Sequence, residues 1–392
     1  MLLFLCHLGS RRQITHRLRT KAASQTCKTL FGTAGVAHGD TVANLCKKVA
    51  LSEVEGVPAE LTEKLIRSKV LYPYRICDQY YLIAMDGTRT ISFKSRHCES
   101  CLTQTQNGKT TYFHPVLEAK LVTSNGFAFS LMSEFIENVD PGAIKQDCEW
   151  KAFLRLAPRL KERFPKLPIC LALDGLFASG DIFVLCAKYG WKYFISLKDK
   201  DLLSVNEEFD YVSKLQSENQ LSWRTGKKAE THQQFSWAED IHYIDSKKKE
   251  HLLNVVECLE TEKDTTTKFK WLTNFNTNKS NVIELCNSGG RLRWVIENQG
   301  FNSQKTGGYH LEHPYSQNMK TFKVFYFLMQ TAHLLFQLLA KGSLLKKSFP
   351  KGFGSLKNLA LSLLEAWRTR AVSPQELFAI STTQIQIRFD DS

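Results

Sequence analysis

The chain has 392 residues, 43% of them hydrophobic, enough to bury one large core or two to three smaller ones. Its formal net charge is +13, from 52 Lys and Arg against 39 Asp and Glu, which suits a polyanionic partner because phosphate contacts release counterions. The eleven cysteines, an odd number scattered from Cys6 to Cys286, argue against a disulfide framework and for a reducing compartment.

The opening "MLLFLCHLGSRRQ" is apolar but has no basic n-region and is too short for a secretory signal. It reads as the second half of a helix, so a truncated reading frame is expected. Residues 1–75 are predicted helical. Asp40 is a candidate cap for a helix with Val42, Leu45, Cys46 and Val49 at helical spacing, and Pro58 opens another. Arg11, Arg12, Arg17, Arg19 and Lys21 form a basic cluster, readable as a solvated helix face or as a DNA-binding arm.

From residue 79 the pattern changes to strands. "YYLIAM" is an apolar run ending at Asp86. "TTYFHPVLEAKLVTS" and "FAFSLMSEFIEN" are two more strands, joined at Asn125-Gly126, a pair that predicts a type I′ hairpin turn. A helix follows over "DCEWKAFLRLAPRLKERF", with Pro158 expected to kink or interrupt it. "LPICLALD" is a buried strand ending at Asp174. A helix with Ile182, Leu185, Cys186 and Tyr189 on one face comes next, stopped by Gly190, and "WKYFISLK" is a further strand. The order β-β-β-α-β-α-β allows the strands carrying Asp86 and Asp174 to be neighbours. The expected fold is α/β: a ribonuclease-H-like mixed sheet flanked by helices.

Between the first two strands, "RHCESCLTQTQNGKTTYFH" holds His97, Cys98, Cys101 and His114. A Cys-x2-Cys pair with a His twelve residues beyond has tetrahedral zinc spacing, and His97 is a candidate fourth ligand, though awkwardly adjacent to Cys98. A small structural Zn²⁺ loop is one reading; two free cysteines and two surface histidines are the other.

Residues 201–280 are polar and Lys-rich, with strand-like pieces "HLLNVVECLE" and "FKWLTNF", and are read as a β-rich insertion. Helical periodicity returns over 281–341, and 342–392 is a helical tail. The stretch Phe322–Ala340 is the one membrane candidate. Lys323, Gln330, Thr331, His333 and Gln337 would be costly in lipid, so a buried core helix of a soluble protein is expected, with no membrane partner. The expected division is a helical DNA-binding region (1–75), a catalytic domain (76–200 and 281–341), the insertion and the tail.

The chemistry centres on Asp86, Asp174 and Glu297, in "YLIAMDGT", "ICLALDGLFASG" and "RLRWVIENQGFN". Two follow apolar strands and the third lies in a helical segment. Three carboxylates so placed can hold two divalent metal ions for phosphoryl transfer on a polynucleotide. Singly, each has an ordinary reading, as a turn Asp before Gly or a helix-surface Glu.

Together, "MDGT", "ALDGLFASG" and "RWVIENQGFNSQKTGGYHLEH" resemble the DDE transposases of bacterial insertion sequences, in the branch with a β insertion before the final Glu. The resemblance implies that Asp86 and Asp174 bind both Mg²⁺ or Mn²⁺ ions and that Glu297 completes the set. It also implies double-stranded DNA as partner, at element ends and target, a dimer on paired ends, and a place in the bacterial cytoplasm at the nucleoid. Related transposases put a Tyr and an Arg before the Glu and a Lys after it, to hold phosphates at the cleaved end. Arg293, one helical turn before Glu297, matches. Gly290 stands where the Tyr is expected, and Lys305 falls one residue late. Arg293 and Lys305, with Arg11 and Arg12, are the candidate DNA contacts, and Asn298 and Asn302 lie beside them. Two other functions fit the same residues: a nuclease on this fold, or a non-catalytic or decayed DNA-binding relative.

Overall fold

The computed structural model describes residues 1–139, 145–226, 230–384 and 386–389. The amino-terminal region is helical, with α1 (Lys21–Phe31), α2 (Gly39–Lys48) and α3 (Val57–Arg67) as its longest helices. The expected Asp40 cap is displaced: His38 Nδ1 accepts the Asp40 N–H at 3.2 Å, and Asp40 sits in the first turn of α2. Its charge still favours the positive end of the helix.

Four strands follow: β1 (Tyr81–Phe93), β2 (Leu102–Gln106), β3 (Lys109–Val122) and β4 (Ala128–Phe135). β1 runs well past Asp86, so this residue lies inside a strand and Asp86-Gly87 is not a turn. β2 alternates too weakly in polarity to stand out in the sequence, and it pairs with the first part of β3. β3 and β4 form the expected hairpin, but of the turn residues only Gly126 has a left-handed φ, +80°. A type I′ turn needs two. The Thr123 hydroxyl accepts the Phe127 N–H at 3.0 Å and its carbonyl accepts the Gly126 N–H at 2.9 Å, which fixes a longer loop instead.

α4 (Glu149–Arg163) passes through Pro158 without a break. A missing N–H and a ring clash cost about 3 kcal/mol inside a helix. Phe153, Leu156 and Leu160 of this helix are fully buried, each contributing ~1.5–3 kcal/mol, so packing outweighs the proline. β5 (Ile169–Leu173), α5 (Gly180–Tyr189), β6 (Lys192–Ser196) and α6 (Leu203–Leu215) come next, then β7 (Gln220–Thr225), β8 (Thr231–Ile244), β9 (Glu250–Glu262) and β10 (Thr265–Thr273). Short helical turns over 282–306 precede α7 (Met319–Lys341), α8 (Leu356–Thr369) and α9 (Pro374–Thr382).

Ten strands make one mixed sheet in the order β2-β3-β1-β5-β6-β10-β9-β8-β7, with β4 also paired to β3. β1–β5 and β5–β6 are parallel, and the other pairs are antiparallel. The strands of residues 220–273 therefore continue the sheet beyond β6. Alternation along β1 sends Tyr81, Ile83 and Met85 to one face, beneath α3 to α6, and Leu82 and Ala84 to the other, beneath the 282–306 segment. Among the described residues α7 alone is long and apolar enough to cross a membrane, and it is mostly buried. Its Gln330, His333 and Gln337 find hydrogen-bond partners inside the protein, and its apolar side chains share a core with Phe4, Ile14, Leu18 and Leu359.

Candidate active site

The parallel pairing of β1 with β5 ends at Ala84↔Ala172. Asp86 and Asp174 each stand two residues beyond that pair. They therefore stand at one level and, by alternation, project from one face. A π-helical turn, Ile296–Asn302, packs on this face with Ile296 and Phe301 buried against the strands, and it brings Glu297 within electrostatic reach of Asp86. Gly300 lets the turn descend, because a Cβ there would stand 3.2 Å from the Lys120 side chain of β3.

A fourth carboxylate arrives from the opposite face. Gly87 points away from Asp86, and a Cβ on it would overlap the carboxylate of Glu149, the first residue of α4. Burial pushes the Asp86 carboxyl up to about 6; the Arg293 guanidinium opposes this, while the charges of Glu297 and Asp174 add to it. Burial raises Glu149 to about 7, with Asp86 and Asp174 adding to the effect. These groups thus repel one another across a partly dry site, and a divalent cation is what relieves such repulsion.

Two cations border the carboxylates. Arg293 Nη1 lies 3.5 Å from Asp86 Oδ2, its Nε is buried without a partner, and its guanidinium faces the exposed Trp294 ring at 5.5 Å. Lys198, at the end of β6 and largely exposed, places Nζ 3.8 Å from Asp174 Oδ1. The Gly290 position has a steric explanation: a Cβ there would stand 2.5 Å from the indole of Trp271, on β10. An aromatic ring already fills that space, supplied from the other side.

The remaining candidates are placed elsewhere. Lys305 pairs with Glu312 at 3.1 Å, and Arg11 lies 3.9 Å from Asp40. Arg12, Arg17 and Arg19 are exposed, as are Asn298 and Asn302. Cys98, Cys101 and His114 come together, and among the described residues theirs is the one group of three or more His, Cys, Asp or Glu whose ligand atoms all lie within 4.8 Å of one another. His97 does not join them. Its Nε2 is 2.7 Å from the Gln317 carbonyl and its ring stacks on Phe93, which turns it away from Cys98. Asp86, Asp174 and Glu297 do not form such a group.

Glu149 and Lys198 escape a reading of the sequence. A Glu in the first turn of an amphipathic helix is what the helix dipole favours anyway, so nothing local marks Glu149 as different. The chain matches no protein-family model and no curated protein.

Proposed function

We propose that this protein is a DDE transposase with a ribonuclease-H-like catalytic sheet, which cleaves DNA at the ends of an insertion sequence and joins them to target DNA. The observation that carries the reading is the placing of Asp86 and Asp174 at one level on parallel neighbours β1 and β5, with Glu297 brought near Asp86 from the helical segment above. The order β4-β3-β1-β5-β6, three antiparallel strands and then two parallel to β1, supports the fold assignment. So does the position of β7 to β10 between Asp174 and Glu297 in the chain.

Asp86, Asp174, Glu297 and Glu149 are hard oxygen donors that fit Mg²⁺ or Mn²⁺. When bound, a pair of such ions activates the attacking water or 3′-hydroxyl and stabilises the leaving 3′-oxygen. Arg293, whose Nη1 lies 3.5 Å from Asp86 Oδ2, offers a positive charge to a phosphate at the site, and the exposed Trp294 ring next to it offers a base a stacking surface. Lys198 places a second positive charge on the Asp174 side. The exposed Arg12, Arg17 and Arg19 give the amino-terminal region an electrostatic footprint for duplex DNA, and assembly on paired ends belongs to the same proposal.

A nuclease on the same fold, cleaving without strand transfer, is the second reading. It is favoured by the clamp for a cleaved end: Gly290 carries no ring and Lys305 is paired with Glu312, which leaves Arg293. The test uses duplex DNA from both flanks of the reading frame, with Mg²⁺ or Mn²⁺, scored for nicked and for joined products. Asp86→Asn, Asp174→Asn and Glu297→Gln should each lose at least about 100-fold of nicking, the upper end of what outer-shell changes cost at metal sites. Unchanged nicking in Glu297→Gln would rule out this active site, and a wild-type chain that binds but never nicks would leave a non-catalytic DNA-binding protein. Nicking without joining would select the nuclease.

A further inference from the structure

The far end of the β1–β3 ladder holds a second, chemically different cluster. Cys98 Sγ and Cys101 Sγ are 3.5 Å apart, and His114 Nε2 lies 3.3 Å from the first and 3.2 Å from the second. With Zn–S of about 2.3 Å and Zn–N of about 2.0 Å, a tetrahedral ion sets S···S edges of about 3.8 Å and S···N edges of about 3.5 Å. The observed triangle is smaller by only a few tenths of an ångström, so three corners of the tetrahedron stand in place.

The surroundings make this more than a chance meeting of thiols. His114 is fully buried, and thiols, weak hydrogen-bonding groups, are the partners of its Nε2. Burying an imidazole on such terms is costly unless a stronger bond is made there. Its other nitrogen, Nδ1, has no hydrogen bond, and Glu137 Oε1 stands 3.8 Å from it. Glu137 is itself held by Lys323 Nζ at 2.6 Å, so a carboxylate is fixed behind the histidine as it commonly is behind metal-bound imidazoles. The Cys101 N–H donates to the Cys98 carbonyl at 3.4 Å, which closes the turn that points both sulfurs one way.

We propose that Cys98, Cys101 and His114 bind one Zn²⁺ as a structural site that fastens the β1–β2 connection onto β3. Two thiolates and an imidazole select zinc over the hard ions suited to the carboxylates. Three protein ligands leave the fourth position to water. His97 is no ligand; its bond to Gln317 and its stacking on Phe93 fasten the same connection to the chain that leads into α7. The site is remote from the carboxylates. His114 pairs with Ile91, five residues along β1 from Asp86, which is roughly 17 Å at 3.3–3.4 Å per residue. The proposal therefore stands whether or not the protein cuts DNA.

The test is the metal content of the full chain, purified without chelator after growth with added zinc. About one zinc per chain is expected for a single tetrahedral site. Cys98→Ser and His114→Ala should lose it, while His97→Ala and Asp86→Asn should keep it. Replacing the zinc of the wild-type chain with Co²⁺ should give thiolate-to-cobalt charge-transfer absorption and tetrahedral visible bands, a readout that stands even if a variant fails to fold. Zinc-free protein that takes up no Co²⁺ would overturn the proposal, as would full zinc content in both Cys98→Ser and His114→Ala. Loss of zinc in His97→Ala would overturn the ligand assignment.

Discussion

The carboxylate of Glu149 occupies the space that a side chain on Gly87 would fill. The residue after Asp86 is thus glycine for want of room, since β1 continues past it as ordinary strand. Gly87→Ala should keep the fold, because the displaced group is the end of a flexible side chain, yet it should push Glu149 out of the site. Calorimetric Mn²⁺ affinity should fall by about 10-fold or more with little change in the urea midpoint. Glu149→Gln should match it. Mn²⁺ binding as tight as wild type in both variants would exclude Glu149 from the metal set.

The raised carboxyls fix a pH dependence. Asp86 titrates at about 6 and Glu149 at about 7 in the folded protein, against 3.8 and 4.5 ordinarily. Between those limits the unfolded chain holds fewer protons than the folded one. These two groups therefore lower metal-free stability as pH rises from about 4 to about 7, against His7, His313 and His333, whose lowered pKa values act the other way. A divalent cation favours the charged carboxylates and should cancel the fall. Metal-free thermal melts at pH 5 and pH 7.5 of the wild type and of Asp86→Asn with Glu149→Gln, repeated with Mn²⁺, check this; the same change of Tm with pH in both chains would contradict it.

Arg293 is the cation that opposes protonation of Asp86. Arg293→Ala should let Asp86 keep its proton to higher pH, moving the acidic limb of the nicking profile upward. It should also reduce the salt slope of DNA binding by about 1, the loss of one phosphate contact. Arg293→Lys should restore most of the slope but not the bidentate geometry. An unmoved acidic limb in Arg293→Ala would separate this residue from Asp86.

Gly290 admits a stability test independent of activity. Gly290→Ala drives a Cβ into the Trp271 indole and should cost about 1–3 kcal/mol in urea unfolding, as overpacking does. A variant as stable as wild type would show that the indole can move aside, and that the missing tyrosine has another cause.

Beneath the site, Glu118 and Lys120 of β3 are both fully buried and pair at 2.9 Å. Glu118 also accepts from Ser130, Ser133 and Tyr326, while Lys120 donates to Gln330 at 2.7 Å. This network joins the strand opposite Asp86 to α7, and Gln304 extends it to the segment that carries Glu297. Lys120→Met strands a buried carboxylate and should cost about 3–5 kcal/mol in urea unfolding. A loss below 1 kcal/mol would mean that the hydroxyl donors alone satisfy Glu118.

The sequence by itself determined what depends on near neighbours. The apolar runs before Asp86 and Asp174 dictate buried strands, the spacing of Ile182, Cys186 and Tyr189 dictates a helix, and Gly190 ends it with a φ of +70°. The Cys-x2-Cys turn and its meeting with His114 were likewise legible, since the two cysteines lie in one turn and the histidine in the hairpin that follows. Only the tertiary structure decided the rest. Glu149 joins the carboxylates because the start of α4 passes over Gly87, and Trp271 excludes a side chain at Gly290 because β10 lies under that turn. Pro158 is tolerated because a buried helical face outweighs its local cost. Periodicity records which face of an element is apolar. Which residues meet across elements is set by strand register and helix placement, and these are fixed by the packing of the whole core.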